Sequence, residues 1–95
     1  MPEMRFLIRW PDGSPESCYS PSLVVKDYLT PGASYTLDQF VALSRAALTT
    51  ASARVEARYG RPCSLALGQL ANIEAKSRRF AEIPDPCVTV DAFEE

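Results

Sequence analysis

The chain has 95 residues, 46% apolar and 23% charged, and its ten basic and twelve acidic side chains give a net charge of −2. That length and mixture fit one globular domain that folds without disulfides or metal. The charge balance lacks the basic excess that phosphate neutralisation demands of a nucleic-acid binder.

Met4, Phe6, Ile8 and Trp10 alternate with Arg5, Leu7 and Arg9, the period-two pattern of a strand with one strongly apolar face. The stretch is interrupted by its arginines and stops at Pro11, so it reads neither as a signal peptide nor as a membrane span. Pro11-Asp12-Gly13 is a turn signal, and Glu16 to Tyr19 is expected to return as the second arm of a hairpin that Pro15 shortens. Ser20-Pro21-Ser22 caps a short helix through Leu23, Val24, Val25, Tyr28 and Leu29, which its valines weaken.

Thr36-Leu37-Asp38-Gln39 has the form of a capping box. Leu37, Val41, Leu48, Ala51, Val55 and Tyr59 follow at three- and four-residue steps, and Gly60 is a helix-ending residue. The spacing predicts a helix over 37–59. A second helix begins at Cys63-Ser64, carries Leu67, Leu70, Ile73 and Phe80 on one side with Ala66 and Ser77 filling the same face, and is stopped by Pro84 and Pro86. Cys87 to Val90 reads as a last strand, with a solvated acidic end at Glu94-Glu95.

The expected fold is α+β: a small antiparallel sheet, made of the N-terminal hairpin plus a C-terminal strand, packed against two long helices and one short helix. Leu48, Val55, Leu70 and Ile73 are expected to form the helical half of the core against Phe6 and Ile8. No internal repeat or linker divides residues 1–95, which reads as a single domain.

Histidine is absent, which removes the commonest general base, histidine-dependent nucleophile pairs and mixed zinc sites. No Cys-x-x-Cys pair exists and the four glycines are scattered, so no dithiol centre or phosphate loop can be written, and no cofactor or metal is expected. The cysteines, Cys18, Cys63 and Cys87, are odd in number and far apart, which fits reduced thiols in a cytoplasmic protein. Cys63 follows Arg61-Pro62 at a helix start, where dipole and guanidinium favour a thiolate, although a small buried cysteine is the commoner reading of such a position. Arg45, Arg54, Arg58 and Arg61 are a second candidate, of which the last three share a helical spacing and form either a cationic ridge or an ordinary solvated face, with Glu56 partly neutralising them.

Arg9-Trp-Pro-Asp-Gly13, Cys18-Tyr-Ser-Pro-Ser-Leu-Val-Val25 and Asp27-Tyr-Leu-Thr-Pro-Gly32 resemble, in that order, segments of one family of small bacterial proteins. Arg58-Tyr-Gly60 and Pro62-Cys-Ser-Leu-Ala-Leu-Gly-Gln-Leu70 continue the likeness, which loosens after Phe80. This is the nitrogen-starvation-response family encoded in nitrilase-containing gene clusters. The resemblance implies gene neighbours that include a nitrilase, a radical-SAM enzyme and a flavoprotein, and a link to nitrile or cyanide nitrogen. It carries no catalytic residues.

The expectation is therefore a non-catalytic accessory protein that binds an enzyme of the same cluster, with a homo-oligomer left open and with neither nucleic acid nor membrane as partner. Trp10, Tyr19, Tyr28 and Arg61 are the expected anchors, because aromatic and arginine side chains dominate interface energetics. The alternative is a small thiol enzyme or carrier that uses Cys63.

Overall fold

A computed structural model describes residues 2–95. Alternation places Met4, Phe6, Ile8 and Trp10 in the interior, and strand β1 (Met4–Arg9) forms as the hairpin pattern predicts. Pro11 and Asp12 turn the chain, with the Asp12 carboxylate accepting from the Ser14 backbone N–H at 2.9 Å and its hydroxyl at 2.6 Å. Strand β2 (Pro15–Ser20) then pairs antiparallel to β1 from Arg9↔Pro15 to Met4↔Ser20.

The chain continues through the Ser22 hydroxyl, which accepts from the Val24 N–H at 3.2 Å and caps a short helix. That helix is a five-residue 3-10 segment, Leu23–Asp27, rather than an α-helix reaching Leu29. Two adjacent valines resist α-helical packing, and a short 3-10 turn still buries Val24 and Val25.

A strand that the sequence does not announce follows, β3 (Ser34–Thr36), paired antiparallel with the last strand through Ser34↔Thr89, Tyr35↔Val88 and Thr36↔Cys87. Gly32, at φ +86°, turns the chain into it and donates its N–H to the Val90 carbonyl at 2.7 Å. The sheet thus has four strands where a hairpin plus one strand was expected, in the order β2-β1-β4-β3, all antiparallel. Strand β4 (Cys87–Glu94) is also longer than the expected 87–90. Between Leu7 and Ile8 the β1–β4 register slips by one residue at a bulge, so Val90 opposes Ile8 while Phe93 opposes Phe6.

Helix α1 (Leu37–Tyr59) has the bounds its periodicity predicts. Both halves of its capping box are present: Thr36 Oγ1 accepts from the Gln39 N–H at 3.1 Å, and Gln39 Oε1 accepts from the Thr36 N–H at 3.2 Å. Gly60 ends it in the left-handed conformation at φ +82°. Helix α2 (Ser64–Ser77) is shorter than expected, because the chain tightens to a 3-10 turn over Arg78–Phe80 before the prolines.

Both helices cover one face of the sheet. Phe6, Ile8, Val88 and Val90 meet Phe40, Leu48 and Ile73 in the core, as expected for most of these positions. Val55 and Leu70 are only half-buried. Trp10 closes one end of the core, stacked on Phe80 at 5.5 Å and edge-on to Phe40 at 5.9 Å. The opposite sheet face, with Arg5, Arg9, Ser17 and Thr89, is bare. No helix among the described residues is long and apolar enough to cross a membrane.

Candidate interaction surface

A 23-residue helix is about 35 Å long at 1.5 Å per residue, longer than the six-residue strands β1 and β2 beneath it. Its interior-facing residues end at Ser52, and residues 53–59 are exposed except for half-buried Val55. Gly60, Arg61 and Pro62, which turn the chain towards α2, are exposed as well, so the closed end of the α1–α2 hairpin lies at the surface of a molecule measuring 42 × 22 × 17 Å.

Three large apolar side chains are left in solvent there: Tyr59 at 63% exposure, Leu65 at 65% and Leu67 at 43%. Leu67 was expected on the core side of its helix. Ala66, expected on that same face, is fully buried there, with Leu65 and Leu67 to either side. The signal was available in the sequence, because Leu67 stands about 100° around the helix from Ala66, whereas Leu70, Ile73 and Ser77 lie within about 40° of it.

Arg54, Arg58 and Arg61 surround this end, and none of them forms an ion pair among the described residues. Arg58 lies 5.7 Å from the centre of the Tyr59 ring. The hairpin is held closed by the Cys63 backbone N–H, which donates to Ser52 Oγ at 3.1 Å. Along the flank of α2 towards β2 runs an open groove of about 580 Å³, to which Arg5, Tyr19, Leu65 and Gln69 contribute. Gln69 Oε1 accepts from the Tyr19 N–H at 2.9 Å, which seals the free edge of β2 at that point.

The expected anchors are scattered. Trp10 is 4% exposed and serves the core, so it presents no surface. Its alternation already pointed inwards, and Phe40 and Phe80 supply what covers it. Tyr19 is half-buried on the bare sheet face with the Arg5 guanidinium 5.9 Å from its ring, and burial and a hydrogen bond to Glu3 raise its hydroxyl pKa. Tyr28 is half-buried against α1, its hydroxyl 3.3 Å from Thr50 Oγ1. Arg61 alone falls at the exposed hairpin end, and Tyr19 reaches it only through the groove.

The thiols differ as sharply. Cys18 is buried, and desolvation pushes its pKa far above the ordinary thiol value, with the Glu16 carboxylate adding to the rise. Cys63 is half-buried at the N-cap of α2 and caps nothing with its side chain. Cys87 is exposed beside the start of α1, next to a cleft of about 590 Å³.

The carboxylate richest in partners is Glu16. Its Oε1 accepts from Trp10 Nε1 at 2.8 Å and from Lys76 Nζ at 2.7 Å, and its Oε2 accepts from Asn72 Nδ2 at 2.8 Å. Burial by itself raises its pKa, but these bonds and the Lys76 charge outweigh it and hold the group below the ordinary carboxylate value. A carboxylate so stabilised is a poor proton acceptor, and its partners pin α2 to the hairpin.

A family described as nitrogen starvation-induced protein NitG matches residues 5–93, nearly the whole of the chain. The chain belongs to the nitrogen starvation-induced NitG family. The match runs through β4, beyond Phe80 where the likeness in sequence loosened. No curated protein and no solved structure gives a significant match.

Proposed function

We propose that this protein is a non-catalytic accessory protein of the nitrogen-starvation response, which binds an enzyme encoded beside it in nitrilase-containing gene clusters. The observation that carries the reading is the hairpin end, where Tyr59, Leu65 and Leu67 are exposed and Arg54, Arg58 and Arg61 form no ion pair among the described residues. A short chain that leaves large apolar residues at one projecting end gains by covering them with a partner. Catalysis has less support, because the best-connected carboxylate is committed to three structural donors and Cys18 is buried and held as a thiol.

The test mixes the purified protein with each purified cluster enzyme and follows co-elution on size exclusion. One of them is expected to shift to a joint peak, and the protein alone is expected to turn over no nitrile or amide. The alternative thiol function on Cys63 draws on its place at the N-cap of α2. Loss of growth on nitrile nitrogen from Cys63→Ala alone, with no enzyme co-eluting, would replace the accessory reading by the thiol one.

A further inference from the structure

We draw no further inference here: the strongest candidate, the solvent-facing side of the α1–α2 layer, where Ala42, Ala46, Ala53, Gly68, Ala71 and Ala75 are all exposed, is a stripe of small residues, and nothing in the structure shows what covers it.

Discussion

Replacing Glu16 by glutamine takes one charge and one acceptor from a site that holds three donors. The amide keeps a single carbonyl oxygen and turns an NH2 towards either Asn72 or the Trp10 and Lys76 side, where donor would face donor. Lys76, with a side chain 35% exposed, can swing into water at little cost. Trp10 is enclosed, and an unsatisfied buried N–H costs about 1–3 kcal/mol. The variant is therefore expected to lose about 2 kcal/mol at pH 7, a fall of about 10 °C in Tm for a domain of this size. Trp10 is the sole tryptophan and sits within the perturbed site, so urea unfolding followed by its fluorescence reads the effect directly. The folded-state pKa of Glu16 lies below its ordinary value of 4.5. Its contribution is therefore complete above that value and disappears as pH falls through the lowered one, so wild type and variant converge in acid. Stabilities that agree within about 0.5 kcal/mol at pH 7, or a gap that stays constant down to pH 3, would refute the structural role given to this carboxylate.

Leu48→Ala, in the fully buried part of α1, is expected to cost about 2–5 kcal/mol, and Leu70→Ala less because that side chain is half-buried; chemical denaturation measures both, and equal losses would contradict the assigned faces. A thiol reagent is expected to modify Cys87 first, Cys63 more slowly, and Cys18 only on unfolding. Mass spectrometry of the time course gives the order, and early labelling of Cys18 would show that the sheet opens far more readily than its packing implies.

Alternation and three-to-four spacing were enough to locate β1, α1 and the outline of the core, because those patterns follow from backbone geometry and hold wherever one face is buried. They were not enough for β3. Three residues, Ser34 to Thr36, offer no period, and their strand character comes from pairing with Cys87, Val88 and Thr89 more than fifty positions away. The parity break in β4 was equally hidden, since nothing local at Asp91 announces a bulge that turns both Val90 and Phe93 towards the core side. The Glu16 cluster joins partners 56 and 60 residues distant, beyond any local signal. The apolar stripe of α1 was read correctly, but periodicity tells which face is apolar and not where the opposing layer ends. Val55 and Tyr59 continue the stripe past the last element that could cover them. Of the expected anchors Trp10 alone is buried, as its alternation already indicated; Tyr19 and Tyr28 are half-buried and Arg61 is exposed.

The place of β4 in the sheet also governs the order in which the structure can be made. The last strand in the chain lies between β1 and β3, and its ladder with β1 joins Arg5 to Glu94, almost the longest loop the chain could close. Ribosomal synthesis delivers β1, β2 and both helices before the strand that unites them, so the emerging polypeptide holds a hairpin and two helices with no complete sheet to pack against. Closure of so long a loop is slow compared with local pairing. Until it happens Phe6 and Ile8 have only part of their cover, so the nascent chain passes through an interval when chaperones can engage it, ended by a single docking event at the middle of the sheet.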